Sequence, residues 1–161
     1  MRRAHRHGTI SCQEGTPAMP RVIWAEDDPV DRILLERAIL KSGADLEPTF
    51  VDDGQEMLDL LNGQGRFQGQ GMAANVDLLV LDLNMPGMDG RNLLARLQKN
   101  EDFRHIPSIV MTTSQARSDV LSCYDLGANS YITKPRSFDD LVRVIRNMDC
   151  YWSTTCVLPA A

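Results

Sequence analysis

The sequence predicts a single α/β domain: a doubly wound, five-stranded parallel sheet with strand order 2-1-3-4-5, flanked by five helices. Short apolar runs alternate with segments of helical periodicity along the chain. One run, residues 78–81, is apolar at every position, as expected of a strand covered on both faces. The 161 residues, of which 43% are hydrophobic, are enough for one compact domain and few for two.

The first strand is predicted over RVIWAE, residues 21–26. Asp28 is expected to cap the helix that follows, and Pro29 suits its first position, where the missing N–H costs nothing. The sequence KSG ends this helix. Its apolar residues at helical spacing are Ile33, Leu34, Ala38 and Ile39.

The second strand and helix are predicted over EPTFV and the apolar residues of segment 57–61. Asp52 and Asp53 lie between them and are expected to serve the turn and the helix cap. The Gly- and Gln-rich segment 62–76 then predicts an exposed loop.

Three more strands are predicted over LLVL, IPSIVMT and SYIT. A helix follows each of them, and Gly127 ends the second of these helices. The last helix is expected to begin at Ser137, with Asp140 three residues later in a capping-box pattern. The apolar positions that define the other two helices are Leu93, Leu94 and Leu97, and Val120, Leu121 and Leu126.

Composition argues against several classes of protein. The net charge of −5 offers no basic surface for nucleic acid, so no direct DNA binding is expected. No apolar run approaches the roughly 20 residues that span a bilayer, and the basic N-terminus lacks an apolar centre, so we expect a cytoplasmic protein without membrane contact. The scattered cysteines predict reduced, mostly buried thiols: Cys12, Cys123, Cys150 and Cys156.

Residues 1–18 differ from the rest of the chain, because basic residues lie there among Gly, Ser, Thr and Pro with little to bury. They predict either a disordered tail or a misassigned start, with Met19 as the true first residue. Without them the chain has 14 basic and 21 acidic residues, since three arginines and one glutamate are removed, which gives a net charge of −7. The domain is expected over residues 19–148, followed by a C-terminal extension over 149–161.

Polar residues follow four of the strands, at the sheet edge where doubly wound proteins bind ligands. They are Glu26, Asp27, Asp82, Asn84, Thr112 and Lys134. Strands one and three are neighbours at the point where the strand order reverses, so Glu26, Asp27 and Asp82 should converge. Clustered carboxylates repel one another unless a cation is bound, and their hard oxygens suit Mg²⁺. Asp27 and Asp82 are expected to bind the metal directly, Glu26 through water, and Asn84 through its backbone carbonyl.

A metal alone would not require the hydroxyl of Thr112 or the ammonium of Lys134. Both make sense beside a phosphoryl group, whose oxygens need a metal, a hydroxyl and a cation for neutralisation. Asp82 would then be the nucleophile that becomes an acyl phosphate.

Four motifs in order give the chain a resemblance to the receiver domains of two-component response regulators, which have a flavodoxin-like fold. AEDDP resembles the acidic pair, LDLNMPGMDG the phosphoacceptor loop, MTTS the switch threonine and YITKP the Lys-Pro stretch. The resemblance implies a metal role for Glu26 and Asp27 and phosphorylation of Asp82. It also implies phosphate contact by Thr112 and Lys134, a switch role for Thr112 and Tyr131, and a cis peptide bond before Pro135.

Only NMDCYWSTTCVLPAA follows the last helix, so no output domain is expected. This ending is similar to that of single-domain regulators paired with phytochrome-type histidine kinases, which commonly form homodimers through strand five and helix five. The resemblance implies a signalling protein rather than an enzyme, with self-catalysed phosphotransfer and slow autodephosphorylation only. Tyr151 and Trp152 would either anchor the dimer or fold back on their own domain.

Other interpretations stay open at this stage. An aspartyl-nucleophile phosphatase would need a second Asp two residues after the nucleophile, where Asn84 stands and cannot transfer a proton. A receiver-like module that binds partners without phosphorylation is the other alternative. Glu26 and Asp27 would then be simple caps, and Tyr131 a core residue with its hydroxyl at the rim.

Overall fold

The computed structural model describes residues 19–71 and 75–159. The predicted tail or misassigned start, residues 1–18, lies outside these ranges. The strands are β1 Arg21–Ala25, β2 Glu47–Val51, β3 Leu78–Leu81, β4 Ser108–Thr112 and β5 Ser130–Thr133. The helices are α1 Pro29–Ser42, α2 Gly54–Asn62, α3 Gly90–Lys99, α4 Arg117–Asp125 and α5 Phe138–Asp149.

All strand pairs are parallel, and the sheet order is β2-β1-β3-β4-β5, which confirms the predicted fold class. The register aligns the ends of the central strands, because Ala25 pairs with Leu81. The residues that follow them, Glu26 and Asp82, therefore leave the sheet side by side. At the other edge Thr112 pairs with Thr133, so Lys134 leaves β5 beside the end of β4.

The sheet separates two hydrophobic cores, and β3 contributes to both because alternate side chains point to opposite faces. Leu79 and Leu81 pack with α2 and α3, whereas Leu78 and Val80 pack with α1 and α5. All four residues of β3 are buried, as predicted for a strand covered on both faces.

Side-chain caps fix the starts of four helices. Asp28 accepts hydrogen bonds from the N–H groups at the start of α1, which confirms its predicted capping role. Asp53 caps α2, Asp89 caps α3, and Ser137 caps α5 by accepting from the N–H of Asp140.

Two predicted helix faces are partly wrong. On α1, Ile33 and Leu34 are 48% and 36% exposed. The apolar residues of α1 are spread around the helix, and the structure buries Leu35 with Ala38 and Ile39 instead. On α4, Leu121 is 55% exposed.

The C-terminal end of α5 continues as a π-helical segment, Cys150–Thr155. Trp152 packs against the core formed with α1 and α5, while Tyr151 is half exposed with its ring edge-on to Trp152. The prediction of mostly buried thiols holds for Cys123 and is wrong for Cys150, which is exposed on this segment, while Cys156 is partly exposed. Cys12 lies outside the described residues. No helix of the described ranges has the length and apolarity needed to span a bilayer.

The loop after β5 differs from the expectation. The resemblance implies a cis bond before Pro135, but no peptide bond in residues 19–71 and 75–159 is cis. The trans form is the one that X–Pro bonds favour by about 0.5–1 kcal/mol. From this backbone Lys134 still reaches the ends of β1 and β3.

Candidate functional site

The ammonium group of Lys134 lies at the carboxyl edge of the sheet and contacts three carboxylates. Its Nζ lies 2.6 Å from Glu26 Oε2, 2.7 Å from Asp82 Oδ2 and 2.8 Å from Asp31 Oδ2. Glu26 and Asp82 are buried, and the Lys134 side chain is 12% exposed. The predicted convergence of Glu26 and Asp82 thus occurs in the structure, with the Lys134 ammonium between the two carboxylates, whereas Asp27, the third residue of the predicted cluster, is exposed.

Short backbone hydrogen bonds position these side chains. The N–H of Lys134 donates to the carbonyl of Thr112 at 2.8 Å, which extends the β4–β5 pairing by one residue. The N–H of Glu26 donates to the Val51 carbonyl at 3.0 Å, and the N–H of Asp82 donates to the Ala25 carbonyl at 3.2 Å. The site residues are therefore anchored by the sheet itself and not by mobile loops.

The chain after Asp82 turns tightly so that α3 begins next to it. The backbone N–H of Asn84 donates to Asp82 Oδ1 at 3.1 Å, so this carboxylate has a partner on each oxygen. Gly90 begins α3 against the same turn, where a Cβ atom would overlap the carbonyl oxygen of Asp82 and come within 3.0 Å of Leu83 Cα. Only glycine permits this close approach of the helix to the loop.

The ionisation of the site follows from burial and from the shared ammonium. Although burial opposes its charge, Asp82 has a pKa below its usual value because Lys134, the Asn84 N–H and the Thr112 hydroxyl stabilise the carboxylate. For Glu26, burial outweighs the attraction of Lys134 and raises the pKa. For Lys134, the three carboxylates outweigh burial and raise the pKa. These pKa shifts favour an ionised Asp82 carboxylate beside a protonated Lys134 ammonium at neutral pH.

Two of the predicted metal ligands are not among the residues whose side chains contact Lys134. Asp27 and Asn84 are exposed. The contact of Asn84 with Asp82 is made by its N–H, whereas its carbonyl is the predicted ligand. Within the described ranges, no three Asp, Glu, His or Cys side chains are arranged to hold a metal ion as they stand. The carboxylates of Glu26 and Asp82 have the hard oxygens that Mg²⁺ prefers, so their chemistry fits the ion.

Asp31 was not predicted to belong to the site. It lies in the first turn of α1, and its side chain is 37% exposed. The sequence holds one indication of its role, because Asp31 follows Asp27 by four residues and thus lies about one helical turn further along.

A hydrogen-bonded network joins the end of β4 to α3, α4 and β5. The Ser114 N–H donates to Thr112 Oγ1 at 3.4 Å, and the Ser114 hydroxyl donates to Asp119 Oδ2 at 2.6 Å. Arg91 Nη2 lies 2.7 Å from Asp119 Oδ1, and the hydroxyl of Tyr131 donates to the Ser114 carbonyl at 3.0 Å. The β4–α4 loop therefore connects the buried Thr112 to Tyr131 on the edge strand.

Comparison with known proteins identifies the family of this chain. The family model described as the response regulator receiver domain matches residues 22–146. The response regulator Rcp1 of Synechocystis sp. is 36% identical over 143 residues, which are 88% of this chain and 95% of Rcp1.

Two solved structures extend the comparison. The phosphorylated cyanobacterial phytochrome response regulator RcpA superposes with a TM-score of 0.79 at 32% identity, covering 88% of this chain and 99% of RcpA. The Mn²⁺-bound form of Rcp1 superposes with a TM-score of 0.77 at 33% identity, covering 88% of this chain and 99% of that one. With the fold, these matches confirm the resemblance found in the sequence: the chain belongs to the response regulator receiver domain family and is similar to single-domain regulators of phytochrome systems.

Proposed function

We propose that this protein is a phosphorylation switch that accepts a phosphoryl group on Asp82 from a partner histidine kinase. The observation that carries the proposal is the ionised Asp82 carboxylate, held at the carboxyl edge of the sheet between the Lys134 ammonium and the Asn84 N–H. A buried carboxylate with a lowered pKa is a nucleophile at neutral pH, and the neighbouring cation offsets the charge of the incoming group.

In the transfer, a carboxylate oxygen of Asp82 attacks the phosphorus in line as the bond from phosphorus to the histidine nitrogen breaks. The electron pair of that bond returns to the imidazole, and the product is an acyl phosphate. Lys134 is within reach of Asp82 and donates to the transferred oxygens. Attack by water on the acyl phosphate restores the carboxylate and releases inorganic phosphate.

The residues that would hold Mg²⁺ are Asp27 and Asp82 directly, Glu26 through water and Asn84 through its carbonyl. When bound, the ion would neutralise charge on the phosphoryl oxygens. Rcp1 has been solved in a Mn²⁺-bound form, which supports divalent metal binding as part of this proposal. Because Lys134 already contacts Glu26 and Asp82, the metal must share these two carboxylates with the ammonium.

The switch would pass through the β4–α4 loop. The Thr112 hydroxyl is attracted to the new phosphoryl group, and the loop carrying Ser114 moves with it. This movement releases the carbonyl that now accepts from the Tyr131 hydroxyl, so the ring can turn inward. Phosphorylation thereby biases a two-state equilibrium of the β4, α4 and β5 surface.

The relatives indicate which type of histidine kinase to test first as the phosphoryl donor. RcpA is a cyanobacterial phytochrome response regulator, and the match with this chain covers 99% of RcpA. We therefore propose a phytochrome-type histidine kinase as the donor. Signalling then proceeds through protein–protein contacts of the switched surface.

Homodimer formation is also part of the proposal. The edge strand β5 and the neighbouring helices form a groove of about 370 Å³ whose lining includes Tyr124, Tyr131, Val144 and Trp152. Leu121 is exposed on α4, the helix that carries Tyr124. A second copy is the occupant that we propose, because the half-exposed rings of Tyr124 and Tyr151 line this groove and aromatic side chains are typical anchors of protein interfaces. Tyr131 lies in the same groove, which would link association to phosphorylation. Leu121→Asp should abolish a dimer measured by light scattering, whereas Leu40→Asp, at an 83% exposed leucine of α1, should not.

The phosphoacceptor role is tested by intact-protein mass after incubation with acetyl phosphate and Mg²⁺. Wild type should gain one phosphoryl group, Asp82→Asn should gain none, and chelation of the metal should prevent the gain. Asp89→Asn is the matched control, because asparagine keeps the cap of α3 and Asp89 makes no contact with Lys134. A folded wild-type protein that gains no mass would favour binding without phosphorylation.

A further inference from the structure

All three N–H donors of the Lys134 ammonium are used in the structure. One contacts Glu26, one Asp82 and one Asp31, at 2.6, 2.7 and 2.8 Å respectively. A lysine ammonium has only three donors. Phosphorylation turns the Asp82 carboxylate into an acyl phosphate, so the N–H that now contacts Asp82 can pass to the phosphoryl group. A second N–H reaches that group only if the hydrogen bond to Glu26 or the one to Asp31 breaks.

Exposure decides which of the bonds breaks at least cost. The Glu26 side chain is 1% exposed, whereas that of Asp31 is 37% exposed. A buried carboxylate that loses its cation is left uncompensated, but an exposed one is rehydrated by solvent. Asp31 is thus the partner that Lys134 can release.

The position of Asp31 also suits a temporary contact. Its backbone N–H is tied to the capping Asp28 Oδ1 at 3.2 Å, which fixes the main chain at the start of α1. The side chain can leave Lys134 without disturbing the helix. Glu26 and Asp82, in contrast, continue the hydrogen bonding of the sheet.

We propose that Asp31 is a positioning residue that holds the third N–H of Lys134 in the resting state and yields it to the phosphoryl group on phosphorylation. Asp31 therefore competes with the phosphoryl group for Lys134 and keeps the switch in its unphosphorylated state. The inference rests on the proposed function, because it assumes that Asp82 is the acceptor.

The experiment measures the affinity of the full chain for beryllium fluoride, a tetrahedral anion that mimics a phosphoryl group on a carboxylate. Binding is followed by ¹⁹F NMR in the presence of Mg²⁺, from the signal of the bound complex. Asp31→Asn should bind the anion roughly two- to five-fold more tightly than wild type, the range expected for one partly exposed ion pair. A purely structural role would instead weaken binding when the residue is changed.

Two control variants separate this effect from simple loss of charge. Asp28→Asn removes a charge at the same helix end and keeps the cap, but Asp28 makes no contact with Lys134. Asp139→Asn removes the partner of Lys41, an ion pair with the same 2.8 Å separation on the exposed start of α5. Both controls should bind the anion as wild type does.

Each result has a defined meaning. Tighter binding by Asp31→Asn alone supports the proposal. Binding by Asp31→Asn that is equal to or weaker than that of wild type overturns it, as does an equal gain in Asp28→Asn, which would show a general charge effect. If wild type binds no beryllium fluoride and gains no phosphoryl group, the proposed function fails together with this inference.

Discussion

Replacing Lys134 with methionine is expected to lower the free energy of unfolding by about 3–5 kcal/mol at pH 7 in the presence of a metal chelator. Methionine keeps most of the side-chain volume and removes the charge. The buried carboxylates of Glu26 and Asp82 then lose the cation that lies within 2.7 Å of both. For 161 residues, 1 kcal/mol corresponds to roughly 3 °C, so the melting temperature should fall by roughly 9–15 °C.

Lys41→Met is the matched control for this variant. Lys41 Nζ lies 2.8 Å from Asp139 Oδ1, but the two side chains are 56% and 85% exposed. Exposed pairs contribute about 0–1 kcal/mol, so this variant should lose no more than roughly 3 °C. Thermal denaturation followed by circular dichroism measures both.

The pH dependence of the Lys134→Met penalty follows from Glu26. Burial raises the pKa of Glu26 in the folded protein, so folded Glu26 binds a proton more readily than the unfolded chain does. As the pH falls through this raised pKa, Glu26 becomes neutral. The Lys134→Met variant then has one buried carboxylate without a cation, that of Asp82, instead of two. The difference from wild type should therefore shrink between pH 7 and about pH 4.5. Equal losses for Lys134→Met and Lys41→Met at pH 7 would refute the view that burial sets the strength of this site.

Three further predictions concern the surroundings of the site. Gly90→Ala should lower the free energy of unfolding by about 1–3 kcal/mol in chemical denaturation, because the new Cβ meets the backbone of Asp82 and Leu83, which cannot rotate away. Arg91→Met should lower the free energy of unfolding by about 0.5–1 kcal/mol and speed amide hydrogen exchange in the β4–α4 loop, because Asp119 loses the 2.7 Å ion pair that helps hold this loop. Unchanged exchange in this loop would contradict the prediction. Although burial opposes its charge, the pKa of Asp82 is lowered by its hydrogen-bond donors, so Asp82 should stay ionised and reactive toward acetyl phosphate between pH 8 and about pH 5. A midpoint for Asp82 inside this range in a pH–rate profile of phosphorylation would contradict the assignment.

Local patterns were enough to predict the fold and most of the site. The positions of strands and helices follow from short apolar runs that alternate with segments of helical periodicity, and the strand order is the common one for five-stranded sheets of this type. The end of each apolar run shows which residues follow the strand. Because parallel strands end at a common edge, Glu26, Asp27 and Asp82 were expected to converge with Lys134 at the same edge. The structure joins Glu26 and Asp82 through Lys134 and leaves Asp27 exposed. The helix caps at Asp28 and Asp53 depend only on the neighbouring backbone, so they could also be predicted from the sequence.

Features that depend on the packing of whole elements could not be predicted. The contact between Asp31 and Lys134 joins residues 103 positions apart, so it depends on how α1 packs beside the end of β5. The packing of α1 also leaves Ile33 and Leu34 exposed while Leu35 is buried. Periodicity marks an apolar helix, but it does not choose the buried side when apolar residues surround the axis.

The central claim, phosphorylation of Asp82, is tested most directly by locating the acyl phosphate in the chain. Wild-type protein is incubated with acetyl phosphate and Mg²⁺, the acyl phosphate is reduced with borohydride to homoserine, and peptides are sequenced by mass spectrometry. We predict homoserine at position 82 and at no other aspartate. Homoserine at Asp27 or Asp53, with Asp82 unmodified, would contradict the account.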